Sequence, residues 1–154
     1  MKRRKLRELA IKALYACDIE KGDPIRHLDY IAGDGEMSGL AEGKAPTPLS
    51  GQDAVFARAL ISGVASRKEE LDSLIGGYAV DWDISRIGAV ERNILRLAMY
   101  EMLYGEKLAP PVAINEALEM IKVYCDGKAA GFANGILGKK AEEIKAGQPG
   151  EADK

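Results

Sequence analysis

The segment from Ser85 to Tyr104 carries apolar side chains around most of the circumference of a helix. These side chains are Ile87, Val90, Ile94, Leu95, Leu97, Ala98, Met99, Met102 and Leu103. A helix that is apolar on nearly all sides has to be surrounded by other elements, because an open side would expose those groups to water. The pattern therefore predicts a central helix over residues 85–104, which Gly105 ends.

Six further segments show apolar side chains at the three- and four-residue spacing of a helix face. We expect helices over residues 3–20, 24–33, 53–64, 69–77, 110–124 and 128–144. No segment alternates like a strand, and most connections are short. The predicted fold is all-α, a bundle of about seven helices in two packed subgroups.

Residues suited to begin helices stand before most of these segments. Asp23-Pro24 and Pro110-Pro111 place proline in a first turn, and Asp126 precedes the last segment as a capping acid. Ser50 with Asp53 and Ser66 with Glu69 are spaced like capping boxes, which predicts the starts of the third and fourth helices. Asp83 or Ser85 is the candidate cap of the central helix. The fourth helix is expected to stop around Gly76-Gly77.

Two segments lack helical periodicity. Residues 33–51 are rich in glycine, serine and proline, which predicts a flexible loop without chemistry. Residues 145–154 form a polar tail that we expect to be disordered. Residues 1–144 are then one helical domain, since 154 residues suffice for one domain with a sizeable core.

The composition argues against several classes of protein. No apolar run approaches the roughly 20 residues that cross a bilayer, and the basic N-terminus lacks the apolar core of a secretory signal, so we expect a cytoplasmic protein without membrane contact. Cys17 and Cys125 are far apart and outside any CxxC motif, which favours free thiols. His27 is the only histidine and is expected to be structural or on the surface. A histidine-based triad and a multi-histidine metal site are therefore excluded.

Two remaining patterns resemble sites only superficially. Glu116 and Glu119 could mimic an acid pair, but a solvated helix face is favoured because no nucleophile or histidine ligand accompanies them. Four glycines at about four-residue intervals invite comparison with a phosphate loop, yet no strand precedes them and no Gly-Lys-Ser/Thr follows. These glycines, which we expect to allow close approach by another backbone, are Gly127, Gly131, Gly135 and Gly138. We predict no catalysis, no cofactor and no metal.

The first helix concentrates positive charge. The chain has a net charge of −2, but its first fifteen residues hold six basic side chains and only Glu8 as an acid. Arg3 and Arg7 lie one turn apart near the helix N-terminus, where positive charge opposes the macrodipole at a cost of a few tenths to about 1 kcal/mol. An anionic partner would explain that placement. Together with Arg4 and Tyr15, the pattern favours RNA over the alternative of a solvated, frayed end.

Four segments together resemble the NusB transcription antitermination factors. They are the arginine-rich start from Arg3 to Tyr15, the central-helix sequence from Val90 to Glu101, Pro111-Val-Ala-Ile-Asn-Glu-Ala117, and Phe132-Ala-Asn-Gly-Ile-Leu137. The resemblance covers most of the chain in order and spacing. From spacing alone, core packing of Phe132 is favoured over base stacking.

The resemblance implies a protein that binds the boxA element of nascent single-stranded RNA together with NusE, a small-subunit ribosomal protein. It implies action in the RNA polymerase antitermination complex, notably on ribosomal RNA operons. The residues implied for RNA binding are Arg3, Arg4, Arg7, Tyr15, Tyr78, Arg96 and Phe132. Glu91 and Arg92 are candidate contacts for the partner protein, on exposed polar positions of the central helix.

The chain also departs from the family pattern. Lys128-Ala-Ala-Gly131 occupies the connection where the family often has an Asp-Ser type pair, and the loop over residues 33–51 is longer than expected. Two alternatives remain open. One is a helical protein-interaction module or homodimer without specific RNA binding, and the other is an RNA-binding domain related to ribosomal RNA cytosine methyltransferases.

Overall fold

The computed structural model describes residues 2–33, 49, 51–79, 87–106 and 108–147. Across these ranges the chain forms seven α-helices and no strand, which confirms the predicted all-α fold. The helices are α1 (Arg3–Glu20), α2 (Pro24–Gly33), α3 (Gly51–Ser66), α4 (Lys68–Tyr78), α5 (Ala89–Leu103), α6 (Pro110–Tyr124) and α7 (Gly127–Ala146). The chain divides into two compact units, Met1–Lys68 and Glu69–Lys154.

The first unit is a packed group of three helices. α1 packs on α2 and α3, and α2 packs on α3. Leu6 of α1, Leu28 of α2 and Ile61 of α3 are fully buried in this core. Burying each of these side chains contributes about 1.5–3 kcal/mol relative to an exposed position. The packing fixes which side of α1 faces solvent and so determines which of its basic side chains remain exposed.

The second unit is arranged around α5. α5 packs on α6 and α7, which also pack on each other. Every α5 residue from Asn93 to Met102 is buried, which confirms the predicted central helix. Gly105 follows the C-cap residue Tyr104 with a φ of 61°, a left-handed conformation that glycine adopts at little cost.

Several predicted helix starts are confirmed. α6 begins with proline in its first turn. The Asp126 carboxylate accepts hydrogen bonds from the backbone N–H groups of Lys128 at 3.1 Å and Ala129 at 3.2 Å. This cap satisfies two donors that have no partner within the helix and places negative charge at its positive end.

Other predicted boundaries are wrong. Ser66 does not begin α4 but ends α3, and its hydroxyl donates to the Gly63 carbonyl oxygen at 3.2 Å. Only Arg67 separates the two helices, so a serine spaced like a cap is absorbed into the preceding turn. α4 also continues through Gly76 and Gly77 to Tyr78, because tertiary packing outweighs the low helix propensity of glycine.

The central helix begins at Ala89 instead of Ser85, with Gly88 at its N-cap position. The candidate caps Ser50, Asp83 and Ser85 lie outside the described residues, as do most of the predicted loop over 33–51 and the tail beyond residue 147. Gly33 and Gly51 belong to α2 and α3, and α7 includes Lys145 and Ala146.

The expected close backbone approach at the α7 glycines is also wrong. A Cβ atom added at Gly127, Gly131, Gly135 or Gly138 would meet no atom within 4 Å among the described residues, apart from the glycine's neighbours and nearby helix backbone. These glycines therefore carry the entropic cost of their backbone freedom without a close contact to another described segment of this chain.

We expect Gly135→Ala to raise the free energy of unfolding by about 0.5–1 kcal/mol, because alanine favours a helix interior and has room at this position. Gly105→Ala is the matched opposite case. There the φ of 61° and the Tyr100 Cε2 atom 3.3 Å from the added Cβ should make the substitution destabilising by about 1–2 kcal/mol. Urea denaturation of both variants measures the two changes. A stability loss in Gly135→Ala would contradict the assigned open space.

Candidate nucleic-acid interface

Two arginines of α1 meet one aromatic ring in the first unit. The guanidinium carbon of Arg3 lies 3.8 Å from the centroid of the Phe56 ring, and that of Arg7 lies 5.6 Å from it. Both distances lie within the range of cation–π attraction. Phe56 belongs to α3, so the packing of α3 on α1 builds this cluster.

The two arginines differ in exposure. Arg3 is exposed, whereas Arg7 is only 5% exposed and lies among the core side chains of α1. Burying a guanidinium is costly unless other groups compensate it, and the Phe56 ring supplies part of that compensation. Arg3 therefore reaches solvent, while Arg7 belongs to the framework beneath it.

Arg4 and Tyr15 lie on exposed positions of α1. Tyr15 is 41% exposed, and Ile19 one turn further along is also exposed. A basic side chain near the helix start and an aromatic ring three turns later provide groups that can meet phosphates and stack on bases.

Arg96 occupies a different environment in the second unit. It is 3% exposed, and two of its nitrogens donate to one carboxylate: Nε to Asp72 Oδ1 at 2.6 Å and Nη2 to Asp72 Oδ2 at 2.8 Å. Its Nη1 donates to the side-chain oxygen of Asn93 at 3.0 Å. This bidentate pair joins α5 to α4 and holds the planar guanidinium in one orientation.

Tyr78, the last residue of α4, is tied to α7. Its hydroxyl donates to Glu143 Oε1, and Lys139 Nζ donates to its backbone carbonyl oxygen at 3.3 Å. Burial, followed by the hydrogen bond and the charge of Glu143, raises the pKa of Tyr78 to about 12. The phenol is neutral at physiological pH, as a tyrosine with the ordinary pKa would be as well.

Phe132 lies on α7 and is partly exposed. Its ring is thus neither a fully buried core group nor a fully solvated one. Lys128, one turn earlier on the same helix, is exposed. The second unit thus places Tyr78, Arg96 and Phe132 on three different helices, with Tyr78 and Arg96 anchored by neighbouring carboxylates.

The candidate partner contacts Glu91 and Arg92 lie in the first turn of α5, and the expectation that they occupy exposed positions is wrong, because both are partly buried. Arg92 Nη1 donates to the Ile87 carbonyl oxygen at 3.2 Å. Glu91 Oε2 is buried and makes no hydrogen bond with the residues described. Burial, and then the charge of Asp126, raises the pKa of the Glu91 carboxyl group.

Cys125 lies beside the same two carboxylates. Burial, followed by the charges of Glu91 and Asp126, raises the pKa of the Cys125 thiol and so disfavours the thiolate. Among the described residues, no group of three histidine, cysteine or acidic side chains is arranged to hold a metal ion. None of the described helices is long and apolar enough to span a membrane.

The sequence prediction missed three residues that hold the candidate side chains in place. They are Phe56 under Arg3 and Arg7, Asp72 beside Arg96, and Glu143 at Tyr78. Each contact joins two different helices, so no spacing within one helix marks it. The burial of Arg7 could have been predicted, because Arg7 precedes Ala10 and Ile11 by three and four residues and so shares their helix face.

The chain is similar in sequence to known proteins. A family model described as the NusB family matches residues 4–142. The transcription antitermination protein NusB of Carboxydothermus hydrogenoformans is 42% identical over 144 residues, which cover 94% of this chain and 95% of the relative. The protein of that name from Bacillus velezensis is 39% identical over 146 residues, covering 95% of this chain and all of the relative.

The fold is also similar to that of solved protein structures. A T. maritima NusB structure has a TM-score of 0.78 and 30% identity, covering 93% of this chain and 92% of that one. A structure of the antitermination factors NusB and NusE in complex with double-stranded RNA contains a chain with a TM-score of 0.71 and 25% identity, covering 92% of this chain and 96% of that one.

We expect Asp72→Ala to lower the free energy of unfolding by about 1.5–3 kcal/mol, because it leaves the buried Arg96 guanidinium without its bidentate acceptor. The control is Asp29→Ala, which breaks the exposed Arg58–Asp29 ion pair and should cost less than about 1 kcal/mol. Chemical denaturation of both variants gives the comparison. Equal losses would mean that burial adds nothing to the Arg96–Asp72 pair.

We expect Glu91→Gln to stabilise the protein at neutral pH. A raised folded-state pKa means that the stability contributed by protonated Glu91 is present below the ordinary value of 4.5 and is lost as pH rises through the folded pKa. The advantage of glutamine should therefore grow as the pH rises from about 4.5 through the raised pKa of folded Glu91. Denaturation at several pH values measures it, with the Lys122-paired Glu119→Gln as control. A constant difference across pH would refute the assignment.

Proposed function

Because this chain belongs to the NusB family, we propose that it is a non-catalytic transcription antitermination factor that binds boxA-type single-stranded RNA together with NusE. In this role it supports transcription of ribosomal RNA operons in the cytoplasm, as part of the RNA polymerase antitermination complex. The solved relative that holds NusE and double-stranded RNA supports both partner classes. The observation that carries the proposal for this chain is the exposed basic start of α1, with Arg3 stacked on Phe56.

RNA contact in the first unit is assigned to the exposed side chains of α1. Arg3 and Arg4 meet phosphates or base edges, since a guanidinium presents planar donors that match both. Tyr15 offers a ring for stacking on an unpaired base. Arg7 is included as a support for Arg3, because direct RNA contact would require its buried guanidinium to leave the core.

In the second unit, Tyr78 and Phe132 are proposed to contact RNA through their rings. Neutral Tyr78 and partly exposed Phe132 suit stacking, which tolerates any base because every base has a π-face. Arg96 is assigned a supporting role, since its donors already engage Asp72 and Asn93. Its effect on RNA is transmitted through the position of α4.

NusE is proposed to contact the N-terminal turns of α5 through Glu91 and Arg92. The chemistry that favours this position is a buried carboxylate oxygen without a hydrogen-bond partner among the described residues, held beside the charge of Asp126. A partner that supplies a donor there would relieve a cost that the isolated chain carries.

The direct experiment is a salt-titrated binding assay with boxA RNA, a scrambled RNA of the same length and a duplex, each with and without NusE. Preferential binding of single-stranded boxA that tightens with NusE would support the proposal. Equal weak binding to all three RNAs would reduce α1 to a nonspecific basic patch and favour a protein-interaction module.

We expect Arg3→Ala combined with Arg4→Ala to weaken boxA binding and flatten its salt dependence. The slope of log affinity against log salt should fall by about 0.7 for each phosphate that the variant no longer neutralises, because fewer counterions are released. The control combines Arg58→Ala with Lys122→Ala, which removes the same formal charge from exposed ion pairs. If the two double variants behaved alike, net charge rather than the α1 surface would govern binding.

A further inference from the structure

We infer that Phe56 is a positioning residue of the proposed RNA interface: its ring preorganises the Arg3 guanidinium on the surface of the first unit for contact with RNA. This inference rests on the proposed function and extends it to a residue of α3. It starts from one geometric fact, the 3.8 Å separation between the Arg3 guanidinium carbon and the Phe56 ring centroid.

Stacking uses the face of a guanidinium, whereas its N–H donors point outward in the plane of the group. A ring 3.8 Å from the guanidinium carbon restricts where Arg3 can lie and brings no negative charge of its own. It differs in this from Asp72, whose carboxylate engages Arg96 in the second unit. An aromatic ring is thus a support that adds no negative charge at a surface proposed to bind an anion.

The ring itself has little freedom to move. Phe56 is 9% exposed, and it precedes the buried residues Ala57, Leu60 and Ile61 on α3. Arg7 lies on the same ring at 5.6 Å and is itself buried. Phe56 is therefore held by the core on one side and carries an exposed arginine on the other, so it transmits the rigidity of the core to a surface group.

The expected benefit is a smaller entropic cost on binding. An arginine that is free to rotate loses side-chain entropy when RNA immobilises it, and an arginine already held on a ring loses less. Arg3 also lies in the first turn of α1, where its charge opposes the helix macrodipole and no side-chain cap holds the helix start. The cation–π contact therefore holds Arg3 in the first turn of α1 and opposes fraying of the helix start.

The test is a double-mutant cycle in the full chain, using the boxA RNA with NusE present. Phe56→Leu keeps the apolar side chain but removes the π-face, and we expect it to weaken RNA binding about three- to tenfold. Phe56→Tyr keeps the ring, so this variant should bind RNA with wild-type affinity. In the Arg3→Ala background, Phe56→Leu should have little further effect, because the group that the ring positions is already absent.

A merely structural role for Phe56 predicts a different result. Leu60→Val, one turn further along α3 and also buried, is the control for core destabilisation, with thermal unfolding of every variant as the check on folding. If Phe56→Leu bound like wild type, or if its effect simply added to that of Arg3→Ala, the inference would be overturned while the proposed function stood. Failure of the wild-type chain to bind boxA RNA would overturn both.

Discussion

Burying a guanidinium is the physical constraint on which both units of this protein depend. Each unit places one arginine of the proposed RNA set in its interior, Arg7 in the first and Arg96 in the second. A buried cation is destabilising by several kcal/mol unless neighbouring groups replace the water that it loses. The two units supply different groups, and that difference decides what each arginine can do.

In the second unit the compensation is a carboxylate. Asp72 accepts two hydrogen bonds from Arg96, and Asn93 accepts a third while its amide nitrogen donates to the Ala89 carbonyl oxygen at 2.9 Å. The charge is neutralised and the donors are engaged, so Arg96 fixes α4 against α5. In the first unit an aromatic ring contributes to the compensation, and a ring adds no negative charge of its own. The proposed contact with phosphate needs positive charge, which a neighbouring carboxylate would reduce more than an aromatic ring does.

Features with a local cause were predictable from the sequence. Proline at the start of α6 and the Asp126 cap of α7 act within one helical turn, so their positions in the sequence are enough to identify them. The burial of α5 followed from its periodicity, because apolar residues on all sides leave only one environment for a helix. Arg96 lies on that buried helix, but the periodicity of α5 does not indicate which acidic residue pairs with Arg96.

Contacts between distant helices were not predictable in the same way. Arg3 and Phe56 are 53 positions apart in the sequence, and their meeting depends on how α3 packs on α1. Periodicity identifies Phe56 only as an apolar residue on a helix face. A charge pattern therefore suggests a nucleic-acid surface, but it does not distinguish exposed arginines such as Arg3 from buried ones such as Arg7.

Two opposing contributions act on the basic start of the first helix. Positive charge at a helix N-terminus is unfavourable by a few tenths to about 1 kcal/mol, and a partly exposed cation–π contact is favourable by a similar amount. The Phe56 ring can thus offset the cost of keeping Arg3 at the start of α1 when no RNA is present. Binding energy from RNA then does not have to offset this cost, so more of it remains available for selecting one sequence over another.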